Sequence, residues 1–199
     1  MTREEAAVGP SSDLLVRLRE GTAGSHARLE EALALLSLPL ARDRFGVLLE
    51  RFHGFHAVWE PAITPWFEPS FFGPRRRTGL IEADLAALGR PIATAQPSPC
   101  AAAVRLGESA ERALGSLYVM EGSTLGGQVI SRGLADAGWT DDLRYFHPYG
   151  RGTGGMWAAF KAMAAQRSNA VADPMILAGA IVTFDLLHDW LRPAFREAL

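Results

Sequence analysis

Two short stretches hold the residues most able to do chemistry. In HARLE, residues 26–30, His26 and Glu30 stand four apart in a segment with helical periodicity, so their Cβ atoms lie roughly 5–6 Å apart. Such a pair is either a solvated ion pair worth a few tenths of a kcal/mol, or an imidazole held by the carboxylate for work on its other nitrogen. In YVMEGSTLGGQVI, residues 118–130, Gly122, Gly126 and Gly127 fall between strongly helical flanks. Each glycine costs a helix interior on the order of 1 kcal/mol relative to alanine, so three together require compensation. That compensation is either a second helix packed closely over Gly122 and Gly126, or a flat ligand lying on backbone where any Cβ would collide with it.

Other candidates compete. Glu50-x-x-His53, with His56 one turn on, and Asp185-x-x-His188 repeat the carboxylate-x-x-His spacing of a di-iron helical bundle. That centre needs two more carboxylates, for which Glu82 and Glu121 qualify only by elimination. Cys100, the single cysteine, lies in a Pro/Ser/Ala-rich stretch without a local partner and reads as an inert or surface thiol. His147, in YFHPYG, reads as a loop histidine.

The elements that must carry these residues are helical. Residues 1–11 read as a disordered tail and 12–199 as one domain. Ser11, Ser12 and Asp13 supply a cap and first-turn charge for a first helix. Its apolar seam runs through Leu15, Leu18, Thr22, Ser25, Leu29 and Leu36, with His26 at the edge and Pro39 closing the segment. A second helix is expected from about Arg44 to Phe67, burying Phe45, Leu48, Leu49, Phe52, Phe55 and Trp59, with Pro61 and Pro65 bending its end. A short helix from Thr78 stops at Gly89, and Arg90–Pro99 is a Pro-rich connection. A long helical pattern spans Ala101–Ala137 with the glycines in its middle. Residues 139–155 form a loop, MWAAFKAMAAQ a further helix, and Asp173–Pro174 starts the last one, which Pro193 ends or kinks. No strand alternation is evident, so the expected fold is all-α with six to eight helices.

With 199 residues and 48% hydrophobic content the chain can bury one substantial core. A formal charge of −2 gives no general attraction to nucleic acid or anionic lipid. No stretch of about 18 residues lacks charges and turn formers, and no signal peptide is evident, so no membrane association and a cytoplasmic location are expected.

Together, LREGTAGSHARLE (18–30) and YVMEGSTLGGQVI (118–130) resemble the proximal and distal helices of haem oxygenases, particularly the bacterial kind associated with bacteriophytochromes. The resemblance extends to the order and length of the other helices. It implies haem between an N-terminal proximal helix and a kinked, glycine-rich distal helix. His26 would ligate the iron, Glu30 would accept the proton of its other ring nitrogen, and Gly122, Gly126 and Gly127 would lie over the macrocycle. Arg19, Tyr118 and Lys161 match positions near the haem propionates. Ser123 departs from the mammalian pattern, which has an aspartate organising distal water. A serine can exchange hydrogen bonds but brings no charge.

The implied reaction cleaves haem to biliverdin, carbon monoxide and ferrous iron with O2 and external electrons. A ferredoxin-like donor docking near Arg132 and a bacteriophytochrome as biliverdin acceptor are the implied partners, with iron recovery as the other purpose. A haem carrier is the non-catalytic rival. Carriers benefit from saturated iron, however, and the glycine-rich stretch offers no second side-chain ligand.

Overall fold

The computed structural model describes residues 10–34, 42–136, 139 and 143–192, which fold into eight α-helices with short 3-10 turns and no strand among them. In chain order these are α1 (Pro10–Ala34), α2 (Arg42–Ile63), α3 (Pro69–Phe72), α4 (Thr78–Ala87), α5 (Ile92–Ala95), α6 (Ala110–Asp136), α7 (Thr153–Arg167) and α8 (Ala172–Leu191). The tail expected over 1–11 falls largely outside the described residues, as do Leu36, Pro39 and Pro193. Helix α1 already includes Pro10 and Ser11, so it starts before the expected Ser11–Asp13 cap.

On α2 the buried face is the expected one. Phe45, Phe55 and Trp59 are at most 1% exposed, and each such burial contributes roughly 2–3 kcal/mol. The Trp59 indole N–H donates to Ser116 Oγ at 2.9 Å, fastening α2 to α6.

Helix α8 is the common support of the functional elements, because α6 and α1 both pack on it. It meets α6 backbone to backbone: a Cβ at Gly115 would lie 2.1 Å from the Ile176 carbonyl oxygen, and one at Gly179 would lie 2.8 Å from Arg112 Cα. By length and composition α8 could cross a membrane, yet Ile176, Ala180, Thr183, Phe184 and Leu187 are buried in the core, as expected of the central helix of a bundle.

The second helix ends at Ile63, not Phe67, with a 3-10 turn over Thr64–Trp66, and the expected Arg90–Pro99 connection contains α5. Three further expectations shift for identifiable reasons. The Ala101–Ala137 pattern is two elements, a 3-10 segment over Ala101–Gly107 and then α6. Trp66 Nε1 takes the Gly107 carbonyl at 2.7 Å, and Ser109 Oγ accepts the Arg112 N–H at 3.2 Å, an N-cap that starts a new helix. At α8 the cap is Asn169 rather than Asp173. Asn169 Oδ1 accepts the N–H groups of Val171 and Ala172 at 3.0 and 2.9 Å, and Asp173 reaches back to the Asn169 N–H at 3.0 Å, a reciprocal arrangement like a capping box. Finally, α6 continues as helix across all three glycines.

Candidate functional site

Helix α1 carries His26 on its half-open side. The ring is edge-on to Phe184 of α8, with centroids 5.4 Å apart. Nδ1 lies 3.3 Å from Glu30 Oε2, with side chains 51% and 67% exposed. Nε2 has no partner among the described residues. Glu30 thus supports the ring from one side and leaves the other nitrogen able to meet a metal. Ion pairs Arg17–Asp173 and Arg28–Asp185, the latter at 2.6 Å, fasten α1 to α8 on either side of His26.

Tyr118 of α6 lies beside Thr22 and Arg19 of α1 and packs near Trp157 and Phe160. Burial pushes its phenol up, while the Thr22 contact and the nearby Arg19 charge pull it partly back. One turn beyond this junction in each helix stand His26 and Gly122.

The glycines separate into two kinds. A Cβ built at Gly122 or Gly126 meets no atom within 4 Å outside the local helix. Among the described residues no neighbouring helix packs over either of them, which tells against the close-packing alternative. At Gly127 a Cβ would lie 2.1 Å from the Phe146 carbonyl oxygen, so this glycine serves contact with the 143–149 segment. Gly122, Ser123 and Gly126 therefore form a stretch of nearly bare helix open to a flat molecule. With the free His26 nitrogen, this donor set and bare wall fit a haem.

Behind that wall lies a buried polar network. Arg77, at the start of α4, donates from Nη2 to the Met120 carbonyl at 2.5 Å and from Nη1 to Ser123 Oγ at 3.2 Å. Its main-chain N–H and that of Thr78 donate to Glu60 Oε1 at 2.6 and 3.0 Å. Glu60 also contacts His56 Nδ1 at 3.1 Å, and His56 Nε2 lies 3.2 Å from the Tyr145 hydroxyl. An ionised carboxylate only accepts, so Nδ1 carries the imidazole proton and Nε2 accepts from Tyr145.

Burial pushes the His56 imidazole down despite the opposing pull of Glu60. Burial also pushes the Glu60 carboxyl up, but its contacts with His56, Arg77 and Thr78 outweigh this and hold it below the usual range. Neutral imidazole beside carboxylate is thus the resting form. Glu121 is pushed up by burial against the pull of Tyr149, Arg77 and Arg75, and it accepts the Tyr149 hydroxyl at 2.5 Å.

The family described as heme oxygenase matches residues 12–193. The chain belongs to the haem oxygenase family. A protein named heme oxygenase from Xanthomonas campestris pv. campestris (strain 8004) is 35% identical over 156 residues, covering 75% of this chain and 89% of that one. Among solved structures, the haem oxygenase of Leptospira interrogans superposes with TM-score 0.77 at 20% identity, over 90% of this chain and 98% of that one. The NO- and CO-bound haem oxygenase of Neisseria meningitidis gives 0.72 at 20% identity, over 95% and 93%. These two likenesses concern the fold.

As a haem oxygenase, this chain has no di-iron site in its described part. Glu50 pairs with Arg90 at 2.8 Å, His53 with Glu82 at 3.1 Å, Asp185 with Arg28, and His188 with Asp189 at 3.1 Å. Among the described residues, no three of His, Cys, Asp and Glu converge. Cys100 is buried, and burial pushes its thiol up, as for an inert cysteine. Arg19 and Lys161 are exposed on α1 and α7. The side chain of Arg132 lies outside the described ones.

Sequence reasoning missed Arg75, Arg77, Glu60, Tyr145 and Tyr149 as functional residues, and used His56 and Glu121 only for the di-iron alternative. A run of three arginines normally reads as a solvated face. Here Arg75 and Arg77 are 4% and 2% exposed, while Arg76 between them faces solvent.

Proposed function

We propose that this haem oxygenase holds haem between α1 and α6, with His26 as the iron ligand and the bare backbone of Gly122 and Gly126 over the opposite face. The single observation supporting this reading is that Cβ positions at 122 and 126 meet no described atom within 4 Å outside the local helix, although the helix bears the cost of both glycines. Glu30 orients the His26 ring and secures the tautomer with Nε2 toward the metal.

Arg19 and Lys161 supply positive charge, and Tyr118 a hydroxyl, for the propionates. Their geometry sets the in-plane rotation of haem and hence which meso carbon is exposed to attack. Haem bound there is both substrate and the source of the iron that activates O2. The described Neisseria meningitidis enzyme holds NO and CO, and we carry over to this chain the capacity for a diatomic ligand. A histidine ligand beneath and a wall lacking a strong side-chain acid above favour attack on the macrocycle over cleavage of the O–O bond.

The products are biliverdin, carbon monoxide and ferrous iron. Electrons come from an external protein donor such as a ferredoxin, docking near Arg132, and biliverdin serves a bacteriophytochrome. Hemin added to the purified protein gives a Soret band that decays with a reductant in air while a biliverdin band grows. A Soret band that persists under those conditions refutes turnover and indicates a carrier. Arg132→Glu slows turnover with the protein donor and not with ascorbate; equal slowing with both would remove Arg132 from the docking surface.

A further inference from the structure

Ser123 brings no charge to the distal wall, yet a cation stands directly behind it. Arg77 is 2% exposed, and a guanidinium so buried is costly unless its donors are used. It directs two of them at α6, to Met120 O and Ser123 Oγ. Ser123 Oγ in turn donates to Met120 O at 2.7 Å. The guanidinium, hydroxyl and carbonyl therefore form a closed triangle on the turn that carries Gly122. The carboxylate nearest the guanidinium, Glu121 Oε1, is 3.8 Å away and already accepts from Tyr149. Arg77 Nε is buried without a partner. The cation is thus held more firmly by the distal helix than by any counter-ion.

We infer that Arg77 is a positioning residue for the distal side of the haem site: by occupying the Met120 carbonyl and donating to Ser123 Oγ it lets the Ser123 proton turn from that carbonyl to a distal ligand, and its charge supplies the positive influence that serine lacks. This rests on the proposal that haem lies under Gly122 and Gly126. The competing role is a latch that joins α4 to α6 and has no effect on the haem.

A cation acting through Ser123 favours the anionic form of whatever ligand adjoins that hydroxyl. It therefore lowers the pH at which the ferric haem spectrum converts from its acid to its alkaline form, whereas a latch alters only stability. The titratable groups around Arg77 are His56 and Glu60 from α2, Glu121 from α6, Tyr145 and Tyr149 from the 143–149 segment, and neighbouring Arg75. Burial keeps both phenols and the His56 imidazole neutral, so none of these three supplies the cation.

The test is a spectroscopic pH titration of the hemin-loaded full chain in the ferric state. Arg77→Met is expected to raise the acid–alkaline midpoint by about one unit and Arg77→Lys to recover about half of that. Ser123→Ala should raise it similarly, and the double variant no further than either single one. A midpoint for Arg77→Met within about 0.2 unit of wild type overturns the inference. So does a double-variant shift equal to the sum of the singles, since Arg77 would then act independently of Ser123.

If Arg77→Met does not fold, Ser123→Ala decides alone, because it removes one exposed hydroxyl; an unmoved midpoint there overturns the inference. His26→Ala separates this from the site proposal. A changed Soret band in that variant beside unmoved midpoints in the others sinks only the role of Arg77. An unchanged Soret band in His26→Ala sinks both.

Discussion

Gly126 and Gly127 are adjacent in the chain and meet opposite surroundings: a Cβ at 126 reaches nothing within 4 Å, while one at 127 would be 2.1 Å from the Phe146 carbonyl oxygen. The same residue type is thus retained for two different reasons within one helical turn. Gly126→Ala and Gly122→Ala should raise the thermal stability of the haem-free protein by up to about 1 kcal/mol, because alanine is the better helix former. Gly127→Ala should lower it by about 1–3 kcal/mol, because backbone must move. Hemin titrations should show the reverse ranking, with Gly126→Leu weakening binding most. If Gly126→Leu bound hemin as tightly as wild type, the open wall would have no ligand to serve.

His26→Ala should abolish normal ligation, and added imidazole should restore much of the Soret band by occupying the vacated space. Glu30→Gln should keep the band but alter its position, since an amide supports the ring less strongly than a carboxylate. Identical spectra for wild type and His26→Ala would place the iron on a residue other than His26.

Acid should loosen the network behind α6 through His56. Its folded-state affinity for protons is lowered from the ordinary 6.5, so the unfolded chain takes up a proton that the folded one refuses. Stability conferred by this group is complete above 6.5 and is lost as pH falls through the folded value. Glu60, also lowered, acts in the same direction further into acid, from its ordinary 4.5 downward. Glu121, raised, acts oppositely. The informative measurement is therefore a difference: the gap in Tm between wild type and non-titrating His56→Gln should narrow as pH falls from about 6.5 to about 5. A gap that stays constant over that range removes His56 as the cause.

How much was legible in the sequence depends on the separation of the partners. His26 and Glu30, or Gly122 and Gly126, sit one turn apart, and helical periodicity alone puts them together. The core face of α2 was legible for the same reason. Arg77 and Ser123 are 46 residues apart and His56 and Tyr145 are 89 apart, so no local pattern joins them. Only the packing of α2, α4 and the 143–149 segment onto α6 brings them together. The backbone contact of Gly115 with α8 was equally hidden, since a lone glycine in a helix does not announce what approaches it. Asn169 does not read as a cap because Asp173–Pro174 gives a stronger local signal four residues later.

The way α8 holds its two neighbours has a mechanical result. It joins α6 main chain to main chain at Gly115 and Gly179, but grips α1 largely through side-chain ends, the Leu177 methyls beside Gly21 and the two arginine–aspartate pairs. Backbone contacts leave little slack, whereas long side chains swing on single-bond rotations at small cost. For the haem site proposed above, the jaw bearing the imidazole is therefore the compliant one and the glycine jaw the anvil, so a bulky tetrapyrrole would enter and leave by displacement of the N-terminal helix. Amide exchange should be faster over Pro10–Ala34 than over Ala110–Leu134, and the opposite order would put the yielding side elsewhere.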